Sequence, residues 1–364
     1  MHAPEMLAIP DRLRRAPGSR ARVLITAPSL PEPVLAELAA RHADITTMPI
    51  PSPPEAVLER LHDGPVDAIL SRTTRLTATA IEAAQGLKVI AKHGVGVDNI
   101  DIPAATARGI PVLVCTGSNA RSVAEHALAL ILALARNLTR HDAALRAGEW
   151  SRFAWRAGEL SGRTLGLVGF GASARALAGM VRGLELSVLA YSPGLANRAV
   201  PPEVTRCPDL ATLLATSDIV SLHCPLTPAT RHLIDAAALA RMKPGAWLIN
   251  VARGGVVDQA ALVAALREGR LAAGLDSFAE EPLPPKDPLR TLENVVLTPH
   301  VAGASEQSTL RVGLHAVRNL FAVLDGEAVA AESVVNPTVL RKQGEGLRPL
   351  DPHEGQCPSN PLLK

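Results

Sequence analysis

Residues 164–174, Thr-Leu-Gly-Leu-Val-Gly-Phe-Gly-Ala-Ser-Ala, constrain this chain more than any other stretch. Residues 165–168 have the short apolar character of a strand buried in a parallel sheet. They run directly into Gly169-x-Gly171-x-x-Ala174, and residues 175–182 then read as a helix. Strand, glycine turn and helix in this order are the setting that a dinucleotide fingerprint requires. Gly169 would permit the tight turn, Gly171 would let backbone amides approach a pyrophosphate, and Ala174 would keep helix and strand close. The helix start would offer its unpaired N–H groups and the positive end of its dipole to phosphates. A glycine-rich turn in another α/β fold is the competing explanation. The next strand, residues 187–191, arrives at βαβ spacing and favours the cofactor.

Strands and helices alternate on both sides of this motif. Residues 23–25, 66–70, 88–91 and 112–114 read as strands, with helices at 33–41, 56–61 and 79–84. After the motif, residues 219–222, 246–250, 273–276 and 295–297 read as strands, and 305–324 as a long amphipathic helix. This grammar predicts an α/β fold with two doubly wound parallel-sheet domains. The 364 residues, 47% of them apolar, are enough for two cores. Residues 1–20 and those after Pro337 lack apolar periodicity and are expected as disordered tails, with Arg12, Arg14 and Arg15 as solvated charges. Residues 118–138 are the longest helix candidate, with Ser122 and Glu125 at capping-box spacing. Trp150, Phe153 and Trp155 cluster within 141–157, which suggests an arm that packs on a partner subunit.

The formal net charge is +2 with no block of one sign, which gives no footing for a nucleic-acid partner. Cys115, Cys207, Cys224 and Cys357 lack metal-site or disulfide spacing, and no signal peptide opens the sequence. A cytoplasmic protein without a metal is expected. The most apolar stretch, 123–138, carries Glu125, His126 and Arg136 and is too short and too charged to span a bilayer.

Strand C-termini of a parallel sheet share one edge, where ligands bind in open α/β folds. In the N-terminal half, two loops follow strand ends. One is Ser71-Arg72-Thr73-Thr74-Arg75, and the other is Lys92-His93-Gly94-Val95-Gly96-Val97-Asp98-Asn99, where Gly94 and Gly96 would expose amides to a small anion. In the second half, Arg253, Glu281 and His300 each follow an apolar strand. Each alone has an ordinary structural explanation, but together they suit hydride transfer to a carbonyl. Arg253 would clamp a carboxylate and polarise the adjacent carbonyl. His300, kept protonated by Glu281, would deliver a proton to the forming alkoxide. A nicotinamide would supply the hydride.

At these residues the sequence resembles the D-isomer-specific 2-hydroxyacid dehydrogenases, the family of phosphoglycerate dehydrogenase and glyoxylate/hydroxypyruvate reductase. The resemblance runs from about Val66 to Pro337. It rests on Gly94-Val95-Gly96-Val97-Asp98-Asn99-Ile100-Asp101, Asn119-Ala120-Arg121-Ser122-Val123-Ala124-Glu125 and Leu222-His223-Cys224-Pro225-Leu226-Thr227-Pro228. The most specific blocks are Met242-Lys243-Pro244-Gly245, Asn250-Val251-Ala252-Arg253-Gly254-Gly255-Val256-Val257-Asp258 and Thr298-Pro299-His300. The resemblance implies a bilobed enzyme with a cleft between a Rossmann cofactor domain and a flavodoxin-like substrate domain. The expected division is 21–116 with 305–337 for the substrate domain, 117–304 for the NAD(P)-binding domain, and tails at 1–20 and 338–364. By match to the family's motifs, Arg253, Glu281 and His300 are the catalytic set, and Val95 and Gly96, with Arg72, bind the substrate. The cofactor set is Gly169, Gly171, Ala172, Ser173, Ser192, Cys224, Pro225, Thr230, Val251, Ala252 and Asp276. Within it, Asp276 would face the nicotinamide carboxamide, and Cys224, Pro225 and Thr230 would line the adenosine side. The family is usually homodimeric through the cofactor domain, in accord with the aromatic arm.

Four positions depart from the family's pattern. Ala172 stands where Arg or another polar residue is common, which removes a side chain that can touch the pyrophosphate, and Ala174 replaces the third glycine. The second strand ends Tyr191-Ser192-Pro193, without the Asp that binds the adenosine ribose, so NAD and NADP are both open as cofactors, and Arg198 is placed to help with a 2′-phosphate. Ala302 stands where Gly is common. The favoured reading is an NAD(P)-dependent reductase of small 2-oxo acids. Arg72 and Arg75 leave 3-phosphohydroxypyruvate, glyoxylate and hydroxypyruvate open as substrates, and no regulatory domain is expected after Pro337. One alternative is a dinucleotide-sensing, corepressor-like binding protein on the same fold. Another is formate dehydrogenase, which pairs its His with Gln, so Glu281 argues against it.

Overall fold

The computed structural model describes residues 5–50, 52–150, 152, 157–195 and 199–342. The chain opens with β1 (Met6–Ala8), β2 (Ala21–Ile25), α1 (Glu32–Ala40), β3 (Ala43–Thr47), α2 (Pro54–His62), β4 (Ala68–Ser71), α3 (Ala78–Ala83), β5 (Val89–Lys92), α4 (Ile102–Ala107) and β6 (Val112–Leu113). Next come α5 (Ala120–Ala135), α6 (Leu138–Arg146), β7 (Thr164–Val168), α7 (Ala172–Met180), β8 (Ser187–Tyr191), β9 (Val204–Arg206), α8 (Leu210–Thr216), β10 (Ile219–Leu222), α9 (Ala236–Arg241), β11 (Ala246–Asn250), α10 (Gln259–Arg267), β12 (Leu271–Leu275) and β13 (Val295–Leu297). The chain closes with α11 (Glu306–Asp325), β14 (Val329–Ala330) and β15 (Arg341–Lys342). It divides into two compact units, Met1–Asn119 with Glu306–Gly355, and Ala120–Ser305 with Gln356–Lys364.

In the first unit, β3-β2-β4-β5-β6 form a parallel sheet. Strands β4 and β5 are buried at every position, as continuous apolar strands covered on both faces must be. Alternate residues of β2 feed two cores. Val23 and Ile25 pack with Val34, Leu38, Leu320 and Phe321, while Leu24 packs with Val57, Ile81 and Ile90.

The N-terminal segment is a correction to the expected tail. Strand β1 is the middle of a separate antiparallel sheet, β14-β1-β15, and Leu7, Ile9 and Leu13 are buried in the same core as Phe321. Arg15 is not a solvated charge either. It pairs with Asp325 at 2.7 Å and stacks on Phe321, and Arg12 donates to the Gly109 carbonyl at 2.9 Å. Three short apolar residues show no period of their own, and their partners lie at the far end of the chain. Residues 341–342, also expected as tail, form β15. Residues 343–364, with Cys357, lie outside the described residues.

In the second unit seven strands run parallel in the order β13-β12-β11-β10-β7-β8-β9. The fingerprint strand β7 has β8 on one side and β10 on the other, so it sits where the strand order reverses. The helix expected over 118–138 is α5, which ends at Ala135, and a second helix, α6, follows from Leu138. Asn137, with φ of 47°, separates α5 from α6, and α11, at 20 residues, is the longest described helix. The expected capping box does not form. Ser122 lies inside α5 and donates to the Ala302 carbonyl at 2.7 Å, while Glu125 pairs with Arg121 at 2.8 Å. The first part of the expected arm is α6; Phe153, Trp155 and Arg198 lie outside the described residues. No described helix is long and apolar enough to cross a membrane.

Candidate active site

Strands β11, β12 and β13 end side by side, Asn250 beside Leu275 and Leu275 beside Leu297. The loops that leave them carry Arg253, Glu281 and His300. His300 Nδ1 and Glu281 Oε2 are 2.7 Å apart. The other carboxylate oxygen, Oε1, accepts from the Phe278 amide at 2.9 Å. Burial opposes the charge on Glu281, but the bonds from His300 and Phe278, and the nearby charge of Arg253, outweigh it and hold the carboxyl below its usual range. An ionised carboxylate takes a proton from Nδ1, so Nε2 is the end of the ring left to meet a ligand. The His300 side chain is 43% exposed.

His300 has a left-handed backbone, φ 55°, which a non-glycine residue holds only where its neighbours enforce it. Asp276 enforces it. Its Oδ1 accepts from the Val301 amide at 2.8 Å and from Thr298 Oγ1 at 2.7 Å, and its Oδ2 accepts from the Ala302 amide at 2.8 Å. Having given its proton to Asp276, Thr298 Oγ1 accepts from His126 Nε2 at 2.9 Å. Burial opposes the charge on Asp276, but His126, Thr298 and the two amides hold its carboxyl below the usual range. Sequence reasoning placed Asp276 in the cofactor set and did not reveal this duty. It missed Thr298 as a hydrogen-bonding residue, and it met His126 only as a polar residue in an apolar helix.

Arg253 is held by Asn250, also missed, which donates from Nδ2 to the Arg253 carbonyl and accepts at Oδ1 from the Ala252 amide, both at 3.0 Å. A Cβ on Gly254 would lie 1.9 Å from the Phe278 carbonyl. Only glycine lets the arginine turn pass so close to the loop that bears Glu281.

The fingerprint turn is equally tight. Gly169 has φ of 86°, and a Cβ there would lie 2.7 Å from the Cys224 amide nitrogen. A side chain at Gly171 would meet open space, and no side chain caps the first turn of α7. Ala172 is exposed and Ala174 is buried. Open space over uncapped amides at a helix start suits the diphosphate of a dinucleotide. Ser173 Oγ lies 3.0 Å from His223 Nδ1. Ser192 follows β8, Cys224 and Pro225 follow β10, and Val251 and Ala252 follow β11, all on the C-terminal edge of this sheet. Thr230 Oγ1 donates to the Pro225 carbonyl at 2.6 Å and accepts from the Thr227 amide at 2.8 Å, so its hydroxyl shapes its own loop.

The expected substrate residues lie in the first unit. Arg72 follows β4, its amide donating to Thr26 Oγ1 at 2.8 Å, and burial pushes its guanidinium below the usual value. Lys92 Nζ bonds to the Arg72 carbonyl and to Asn99 Oδ1, and Asn99 Nδ2 donates to the Thr74 carbonyl at 2.8 Å. The two loops are therefore locked to each other by Lys92 and Asn99, which sequence reasoning did not single out. Val95 is exposed beside them.

Residues 128–302 match the family described as D-isomer specific 2-hydroxyacid dehydrogenase, NAD binding domain. The chain is 43% identical over 307 residues to a glyoxylate reductase of Thermofilum pendens, covering 82% of this chain and 87% of that one. It is 43% identical over 250 residues to a D-3-phosphoglycerate dehydrogenase of Archaeoglobus fulgidus, covering 68% of this chain and 47% of the relative, so it spans about half of that protein's length. A crystal structure of a Thermus thermophilus protein matches with a TM-score of 0.78 at 38% identity, covering 86% of this chain and 99% of that one. The cofactor is thus a nicotinamide dinucleotide, for which the fingerprint turn has the right shape. Such identity over most of a glyoxylate reductase's length leaves one conclusion: the chain belongs to the D-isomer-specific 2-hydroxyacid dehydrogenase family.

Proposed function

We propose that the protein is an NAD(P)-dependent reductase of small 2-oxo acids such as glyoxylate or hydroxypyruvate. The observation that carries this reading is the 2.7 Å pair of His300 and Glu281 on the strand edge that also bears Arg253. When bound, the nicotinamide supplies a hydride to the carbonyl carbon. Arg253 holds the substrate carboxylate and draws electron density from the adjacent carbonyl oxygen. His300 gives its Nε2 proton to the forming alkoxide, while the Nδ1 proton stays on the bond to Glu281. Val95 and Gly96 are assigned to the substrate carboxylate through their amides, and Arg72 as a cation for the same ligand. Ser192 carries no charge to repel a 2′-phosphate, which supports NADP beside NAD. The glyoxylate reductase relative, 43% identical over 307 residues, supports the smaller acids as substrates.

Oxidation of NADH and NADPH against glyoxylate, hydroxypyruvate, 3-phosphohydroxypyruvate, pyruvate and phenylpyruvate tests this. Turnover with a small 2-oxo acid that disappears in Arg253→Ala is expected. Tight dinucleotide binding without turnover of any acid overturns the reading.

A homodimer through the second unit is part of the same proposal. Leu132, Leu138, Leu145 and Trp150, the last 84% exposed, are large apolar side chains gathered on α5, α6 and the segment after them. Sedimentation should give a dimer for the wild type and a monomer for the Leu145→Glu, Trp150→Glu variant; a monomeric wild type sinks the idea. The free, buried Cys115 and Cys207 accord with the reducing conditions of a cytoplasm.

A further inference from the structure

A line of hydrogen bonds joins the interior of the second sheet to the start of the fingerprint helix. Ser221, in β10, is fully buried, and its Oγ lies 3.0 Å from His223 Nε2. His223 Nδ1 lies 3.0 Å from Oγ of Ser173, in the first turn of α7. The ring is fixed to the fingerprint turn through its own backbone. The His223 amide donates to the Val168 carbonyl at 2.7 Å, and a Cβ on Gly169 would lie 2.8 Å from the His223 carbonyl carbon.

Burial pushes His223 down to about 4, so the ring is neutral near pH 7, with one nitrogen donating and the other accepting. The line can then run in two directions. If Ser173 donates to Nδ1, the Nε2 proton goes to Ser221. The Ser221 hydroxyl proton is then buried with no acceptor, because His223 Nε2 is the one hydrogen-bond partner of its Oγ among the described residues. An unused buried donor is strongly disfavoured. In the other direction Ser221 donates to Nε2, Nδ1–H donates to Ser173, and every buried proton is used. The proton left over belongs to Ser173, which is partly exposed two residues from Gly171 and its open space.

We propose that Ser221 and His223 are positioning residues that turn the Ser173 hydroxyl into a directed hydrogen-bond donor for the diphosphate of the bound dinucleotide. The proposal rests on the dinucleotide-binding reading of the fingerprint. It also accounts for Ala172, whose methyl group has no polar atom to offer a phosphate: the hydroxyl of the next residue supplies one.

The test is equilibrium binding of NADH, ADP and adenosine, by calorimetry or competition, with no 2-oxo acid present. Ser173→Ala should weaken NADH and ADP about tenfold and leave adenosine unchanged, and Ser173→Thr, which keeps the hydroxyl, should restore affinity. His223→Asn, with a donor near the Nδ1 position, should bind NADH better than His223→Leu. On the Ser173→Ala background, His223→Leu should cost no further affinity. Ser173→Ala binding NADH and ADP as the wild type does overturns the proposal, as does an additive loss in the double variant. If His223→Leu does not fold, the Ser173 pair alone decides. A wild type that binds no NADH overturns the dinucleotide reading itself, whereas a failure to reduce any oxo acid leaves these binding results standing.

Discussion

The imidazole of His300 is fixed at two points. Glu281 takes its Nδ1, which selects the face presented to a ligand, and Asp276 takes the amides of Val301 and Ala302, which holds the left-handed turn. Removing the ring in His300→Ala should lower turnover by about 100-fold or more, the scale of a lost general acid, with NADH affinity unchanged. Near-normal kcat in that variant would rule out His300 as the proton donor. Arg253, Glu281 and His300 were legible because each follows an apolar strand in a parallel-sheet grammar, and strand ends of such a sheet converge wherever the rest of the chain goes. Asp276, Thr298, His126 and Asn250 were not legible in the same roles. For the first three the work is done by hydrogen bonds between groups distant in sequence, such as His126 to Thr298, while Asn250 bonds within its own turn, to Ala252 and Arg253, at the end of an apolar strand where an amide side chain gives no pattern.

At the level of elements, burial decides what sequence periodicity can reveal. Strands β2, β4, β5, β7, β10 and β11 are apolar runs and announce themselves. Strand β3, Ala-Asp-Ile-Thr-Thr, is an exposed edge, and β1 has three residues whose partners are β14 and β15. Helix α6 had a local signal at its start, an asparagine that tolerates the left-handed region, but its sequence, Leu-Thr-Arg-His-Asp-Ala-Ala-Leu-Arg, has too few apolar residues to announce a helix. The N-terminal segment makes a sharp test. Leu7 and Leu13 are buried with Phe321 and Leu324. Leu7→Ala and Leu13→Ala should each lower stability by roughly 2–5 kcal/mol in urea unfolding, as large-to-small changes in a core do. A free tail would give no change in midpoint.

Across the whole molecule, the chain leaves its first unit after Asn119 and returns to it at Glu306, and each unit carries an imidazole that folding keeps neutral. In the first unit, burial and then the charges of Arg72 and Lys92 push His93 from 6.5 to about 4. In the second, burial pushes His223 from 6.5 to about 4. Below pH 6.5 the unfolded chain takes up protons at both rings that the folded chain refuses until about pH 4. The unfolded state therefore binds more protons in this window, and stability falls as pH drops through it, by up to about 1.4 kcal/mol per pH unit for each ring. The carboxyls of Asp276 and Glu281 act in a lower range. Folding holds both below their usual values of 3.8 and 4.5, so their contribution is complete above those values and is lost as pH falls through the folded ones. Acid should thus weaken the protein in two stages, imidazoles first and carboxylates second. Urea midpoints measured from pH 8 down to pH 4.5 should fall steadily below about pH 6.5, and His223→Asn should flatten part of that slope. Midpoints that stay level from pH 7 to pH 5 would mean that both rings take up protons in the folded chain as readily as in the unfolded one.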